Sequence, residues 1–367
     1  MRKRGLHESD ERGFTLVATA FGIIFLIGMV GLAVDVGRLF IAKSETQVFV
    51  DSASLAATLE LDGTSDGLDR ARARVASNPN QWNFNTSSFS AVTTTFATST
   101  AGPWEANPAD PSNYRFANAQ VSVDVPVLFL SAFRQLNVPG AFIVLSPTFT
   151  SGVNSNAASA QELKTRFNEG VFPFSPYAHD GTSPDFRLVV GQLYTLRWAA
   201  NPRLDSNTCP GDNTSTMIQL ENAGGGSERG YIEDTSSAII RQAIEDDYQT
   251  AWRGIGYPVN MTGGAKQTEL DAIRVRIGQD TDSTAPDYAT YDSNGTGNGR
   301  RLVGVPINTG YPDYMAVQIA AFFLPPANTY DQGGNSPWCA EYVGPWVQGS
   351  KKKGAGDSGS YVARTIQ

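Results

Sequence analysis

"ERGFTLVATAFGIIFLIGMVGLAVDVGRLF", residues 11–40, decides how the rest of the chain is read. From Phe14 to Val34 it runs 21 residues without a charge. At about 1.5 Å of rise per residue this gives roughly 30 Å of helix, the thickness of a bilayer's hydrocarbon core. A secretory signal has a shorter apolar region with a small-residue cleavage site after it. Here the helical pattern continues past Asp35 and Arg38, so the stretch is expected to stay on the protein as an anchor. Arg2, Lys3, Arg4 and Arg12 precede it, and only Arg38 and Lys43 follow closely. That bias favours a cytoplasmic N-terminus. Residues 1–13 then form a basic cytoplasmic head, 14–34 a transmembrane helix in the cytoplasmic membrane, and the remaining chain lies outside the cytoplasm.

The helix does not stop at the membrane. Lys43, Gln47, Asp51, Ser54 and Thr58 recur at helical spacing and make a polar stripe. Ile41, Val48, Leu55 and Leu59 lie on another side. One long helix is expected from about residue 12 to 61, its outer part (35–62) an amphipathic stem. Gly63 after Leu61-Asp62 is a stop signal, and a short helix follows over Leu68 to Ala76. Ala18-x-x-x-Gly22 and Ala33-x-x-x-Gly37 place small residues one turn apart, a spacing that lets helices approach but is also common in any membrane helix.

Residues 63–367 read as an extracytoplasmic α+β domain rich in antiparallel strand. "SAVTTTFAT", "QVSVDVPVLFL", "AFIVLSPTFTSG", "RLVGVPI", "MAVQIAAFFL" and "SYVARTI" have strand character. "DFRLVVGQLYTLRWA" is a long strand or a hairpin bent at Gly191. Ile239, Ile240, Ala243, Ile244, Tyr248 and Trp252 have helical spacing, and "QTELDAIRVRI" is a second helix. Charged residues make up only 17% of the chain and its net charge is −8, which leaves no basic footprint for nucleic acid. Cys209 and Cys339 both fall on the exported side, where an oxidising compartment permits a disulfide between them. Each adjoins a turn signal, so both are expected in loops.

The segment "GLAVDVGRLFIAKSETQVFVDSASLAA" resembles the N-terminal part of TadG-like proteins of the tight-adherence (Flp) pilus assembly family. In that family an apolar helix ends in Val-Asp-x-Gly-Arg, followed by a Gln and an Asp-Ala-Ala-Leu-Ala-like run. Val34, Asp35, Gly37, Arg38 and Gln47 match, as do Asp51, Ala53, Leu55, Ala56 and Ala57. The resemblance covers about residues 12–60. It implies a single-pass envelope protein linked to pilus or adhesion machinery, with the membrane and other pilus-assembly or pilin-like proteins as partners through the N-terminal helix. Longer relatives carry an Asp-x-Ser-x-Ser metal site, which "DTSSA" (234–238) and "DSGSY" (357–361) both lack. "RGFTL" resembles the cleavage site of type IV prepilins, with Gly13 and Phe14 at the scissile bond. Processed pilins usually carry Glu at the fifth position, whereas this chain has Ala18, so the head is expected to remain.

No constellation for chemistry stands out. "GAGDSGS" (354–360) resembles the context of a nucleophilic serine, but His179 is the one base beyond the head, in a turn beside Asp180 and Gly181. Asp280, Asp282, Asp287 and Asp292 do not follow the calcium-loop order and read as a solvated loop. Lys351–Lys353 also reads as a solvated loop, and Trp338, Tyr342 and Trp346 as packing around Cys339. The sequence holds no zinc cluster and no phosphate-cradling glycine loop, so no catalytic residue, cofactor, metal or small-molecule substrate is assigned. The expected function is non-enzymatic: Flp pilus assembly or surface adhesion. The alternatives are an envelope binding protein or adhesin unrelated to pili, or an envelope hydrolase using His179.

Overall fold

α1 (His7–Thr58) is one uninterrupted helix of 52 residues, about 78 Å long at 1.5 Å per residue. It begins earlier than the charge pattern suggests and ends at Thr58, where Leu61 N–H turns back to Thr58 O. The buried amide of Gln161 donates to Thr58 O (2.9 Å) and Leu61 O (2.7 Å), holding the chain where it leaves the helix. Gly63 has φ +82°, and a Cβ there would lie 3.0 Å from Ser112 O, so the stop signal is also a close approach. α2 (Ser65–Ser77) follows, with Thr64 Oγ1 accepting the Gly67 N–H.

The structure, a computed structural model, describes residues 7–79, 81–82, 87–89, 92–129, 150–180, 185–199, 208–213, 215–216, 228–232, 236–264, 266–310, 313–333, 336–356 and 359–366. The strands are β1 (Gln81–Trp82), β2 (Ser87–Ser88), β3 (Val92–Ala97), β4 (Phe116–Pro126), β5 (Thr150–Leu163), β6 (Arg166–Phe167), β7 (Phe174–Ser175), β8 (Leu193–Arg197) and β9 (Glu228–Ile232). After α3 (Ser237–Asp246) come β10 (Arg253–Gly254), β11 (Asn260–Gly263), α4 (Gln267–Gly278) and α5 (Tyr288–Asn294). β12 (Leu302–Asn308), β13 (Ala316–Phe323), β14 (Trp338–Gly344), β15 (Trp346–Val347) and β16 (Ser360–Ile366) close the chain order. The fold is α+β, as the sequence pattern predicts. One sheet has the order β15-β16-β5-β4-β3; a larger one runs β11-β9-β8-β14-β13-β12, with β7 pairing β9.

The chain divides into two compact units, and α1, β3, β4 and β5 each contribute to both. The first holds described residues among 7–53, 76–93 and 119–157. Here β4 alternates cleanly, with Ala119, Val121, Val123 and Val125 buried. Polar residues of α1 meet β5: Lys43 Nζ, from the polar stripe, donates to Asn154 O (2.6 Å), and the hydroxyls of the neighbouring Thr46 and of Ser155 are 2.7 Å apart. Ala42, Phe49, Val50 and Ala53 are buried, whereas Ile41 and Val48 are exposed.

The second unit holds the larger sheet. Val303, Val305 and Ile307 of β12 join one core cluster with Ile240 and Ile244 of α3 and Leu270, Ile273 and Ile277 of α4. Leu302 faces a second cluster with Ile319, Phe323, Tyr291 and Trp346. A sheet covered on both faces explains why β12 and β13 read as continuous apolar runs rather than alternating ones. Trp346 lies on Gly304, where a Cβ would come within 2.3 Å of the indole.

Several expectations change. "DFRLVVGQLYTLRWA" is a turn over Asp185–Arg187, a bend at Gly191 (φ +86°) and a short β8, not one long strand. α3 stops at Asp246 because Asp247 is left-handed (φ 60°) and its N–H caps Gln242 O, so Tyr248 and Trp252 lie outside the helix and are exposed. "AFIVLSPTFTSG" falls mostly outside the described residues, and β5 begins at Thr150. "QVSVDVPVLFL" ends as a strand at Pro126.

The Asp280–Asp292 stretch is no solvated loop at its start. Asp280 and Asp282 are buried around a fully buried Arg301. Arg301 donates to Leu324 O (2.8 Å), Asp282 O (2.8 Å) and Ala285 O (2.7 Å) and lies over the Phe323 ring. Asp280 accepts from Tyr291 Oη (2.8 Å) and from the N–H groups of Asp282 and Arg301. Lys352 is likewise turned inward, onto Asp292, while Lys351 stays exposed.

Candidate functional site

From Phe14 to Val36 the large apolar side chains of α1 are exposed almost without exception. A continuous apolar surface of this length is not stable against water and marks contact with lipid or protein. By length and composition the helix can cross a membrane.

At the outer end of the run the helix grips another part of the chain. Asp35 is buried, and its two carboxylate oxygens accept the backbone N–H groups of Leu128 (2.9 Å) and Phe129 (3.0 Å). One turn further on, Arg38 Nη1 donates to Pro126 O at 2.9 Å. One turn toward the N-terminus, a Cβ on Gly31 would lie 2.7 Å from Phe129 Cβ, so glycine is what lets Phe129 reach the helix. Little in the sequence announces this docking of Leu128 and Phe129 on α1. Its one signal is the run Val127-Leu128-Phe129-Leu130, where the strict alternation of β4 breaks into consecutive apolar residues.

The other motif positions have different roles. Gln47 Nε2 donates to Asp51 Oδ1 (2.8 Å) one turn along and reaches Asn156 O (3.4 Å). Gly37 stands open, since a Cβ there would meet nothing within 4 Å. Gly13 and Phe14 lie within α1, with Phe14 exposed. On either side of Arg38 in the sequence, Val36, Leu39, Phe40 and Lys43 line a groove of about 380 Å³ with Ser151 and Val153.

The Asp35–Arg38 grip lies on the segment that carries the sequence resemblance. Residues 13–74 match the family described as "Putative Flp pilus-assembly TadE/G-like". No curated protein and no solved structure gives a significant match. The TadE/G-like segment thus spans α1 from Gly13 onward and most of α2. It contains every motif residue named above, from Gly13 and Phe14 to Asp35, Gly37, Arg38, Gln47 and Asp51.

Outside this segment, Cys209 and Cys339 form a disulfide with Cα atoms 5.8 Å apart. Cys339 lies in β14, not in a loop, at a register shift between Trp338 and Cys339. The loop carrying Cys209 is tied to β8: Cys209 N–H points at Thr195 Oγ1, and Asp212 accepts the Thr195 N–H (2.6 Å). His179 Nε2 is 2.9 Å from the other Asp212 oxygen, so this histidine braces the disulfide loop and its partner is not the neighbouring Asp180. Trp338 and Tyr342 are buried core residues, with Trp338 edge-on to Phe174 at 5.0 Å. Trp346 packs against Phe167 at 4.9 Å. Ser358, Asp234 and Thr235 lie outside the described residues; from Ser237 on, the "DTSSA" segment opens α3. Among the described residues, no three His, Cys, Asp or Glu side chains converge as a metal site would require.

Proposed function

We propose that this protein is a single-pass envelope protein that acts without catalysis in Flp (tight-adherence) pilus assembly or in the adhesion that such pili mediate. The observation that carries this reading is the family match over 13–74, which coincides with the helix whose motif residues grip the chain at Asp35 and Arg38. In this reading the N-terminus is cytoplasmic, because positive charge is concentrated before the apolar run. The Cys209–Cys339 disulfide supports an oxidising, extracytoplasmic location for the remainder. The mechanism is mechanical. α1 anchors the protein, and its exposed outer residues Phe40, Ile41 and Val48, beside the open Gly37, receive helices of pilin-like or pilus-assembly proteins.

The test is deletion of the gene from its host, with surface pili counted by electron microscopy. Loss of pili is expected, restored by the intact gene but not by a copy lacking residues 14–34. Unchanged piliation in the deletion strain would sink the proposal.

A further inference from the structure

Leu128 and Phe129 are apolar, 53% and 39% exposed, and held against α1, the one helix among the described residues long and apolar enough to enter a bilayer. Their level along that helix can be read from their contacts. The charge-free run ends at Val34, so Asp35 marks the boundary of the apolar layer. Phe129 packs at Gly31, four residues nearer the N-terminus, about 6 Å inside that boundary at 1.5 Å per residue. Backbone at such a depth needs internal partners, because an unsatisfied N–H in hydrocarbon costs several kcal/mol. The N–H groups of both Leu128 and Phe129 have them in Asp35. Arg38, on the outer side of Asp35, takes Pro126 O at the level where headgroups begin.

We propose that the Leu128–Phe129 turn is a second membrane contact: it dips into the outer leaflet beside α1, its amides capped by Asp35, and touches lipid acyl chains. The inference rests on the reading of α1 as a membrane-spanning anchor. Its consequence is a second lipid contact to one side of α1, which restrains the rotation of the helix about its own axis in the membrane. A single span alone leaves that rotation free.

The test uses the full chain, with its disulfide oxidised, in phosphatidylcholine vesicles. An environment-sensitive fluorophore is attached at Leu128→Cys, at Leu26→Cys within the span, or at Leu163→Cys in β5. Leu26 and Leu163 are equally exposed in the structure, at 61% and 62%, so exposure alone does not separate them. Nitroxide lipids are expected to quench Leu26→Cys and Leu128→Cys several-fold more than Leu163→Cys. Quenching at Leu26→Cys without quenching at Leu128→Cys overturns the inference and leaves the anchor standing, with solvent or a protein partner covering the turn. Absence of quenching at Leu26→Cys removes the anchor and the inference with it. A second measurement needs no substitution: diazirine lipids photolabel the unmodified chain, and mass mapping must find label on the peptide carrying Leu128 and Phe129.

Discussion

At the scale of single residues, Asp35 shows how much one carboxylate organises. It holds two amides at once, and hydrogen bonds to a charged group contribute about 1.5–3 kcal/mol each. Asp35→Ala is therefore expected to raise hydrogen exchange at the Leu128 and Phe129 amides by roughly 10- to 100-fold in detergent-solubilised protein. Unchanged protection by mass spectrometry or NMR would mean that the turn is held by other contacts. Asp282 offers a pH-dependent counterpart. The Asn294 side chain and the Ala285 and Thr284 N–H groups hold its carboxyl below the ordinary range, with Arg301 adding to the effect. A lowered folded pKa stabilises the fold above the unfolded value, near 4, and that contribution is lost as pH falls through the folded value. Glu341, pushed up by burial, works the opposite way, so total stability is a poor readout and a variant is needed. Asp282→Asn should melt below the parent at pH 7, and the gap should narrow as the pH falls below about 4; a gap independent of pH would refute this. The motif spacing marks Asp35 and Arg38 in the sequence as residues of consequence. Arg301 is not legible there, because an arginine opening a strand reads as solvated. Its partners are carbonyls of residues 282, 285 and 324, which only the fold brings together.

Elements were legible where one physical signal governs them. α1 follows from an unbroken helical pattern, and β4 from alternation. β5 escaped. "TSGVNSNAASAQEL" is Ser-, Asn- and Ala-rich and has little intrinsic strand preference. Its strand is made by pairing between β16 and β4, and its buried Ser155, Ser159 and Gln161 hydrogen-bond polar groups of α1. The stripe was visible in the sequence, whereas its complement was not recognisable without it. The end of α3 is not legible in the apolar spacing for a local reason: Asp246 and Asp247 sit at the helix C-terminus, where negative charge opposes the dipole, and Asp247 is left-handed and pairs with Arg276. The glycines of α1 allow a direct test of what the helix contributes to the docked turn. Gly31→Leu should displace Phe129 and raise exchange at the Leu128 and Phe129 amides. Gly22→Leu, where a Cβ meets nothing within 4 Å, should leave them unchanged. Equal effects of the two substitutions would show that the helix acts through its overall apolarity and not through the Gly31 contact.

For the whole molecule, the disulfide is the longest-range constraint the sequence offered, and the structure changes how it is seen. Cys209 and Cys339 are 130 positions apart, and closing such a loop removes up to about 5 kcal/mol of unfolded-chain entropy. A bridge between two loops would leave the sheet indifferent to its loss. Here one end lies in β14, paired through Thr195 to β8, and the other in a loop that Asp212 and Gly211 fasten to the same strand. Those hydrogen bonds persist without the bridge, so the reduced protein should keep its native arrangement and lose mainly the entropic term. If about half of that term is realised, the melting temperature of the oxidised protein should exceed that of Cys209→Ala by roughly 5–10 °C, at 2–4 °C per kcal/mol for a unit of this size. Cys339→Ala should match Cys209→Ala, and the double variant should be no worse than either, because one bond is lost only once. A double variant markedly less stable than both singles would show that each side chain stabilises the fold separately from the bond. Alkylation of both cysteines in protein folded in an oxidising compartment would remove the bridge, and with it one support for placing this part of the chain outside the cytoplasm.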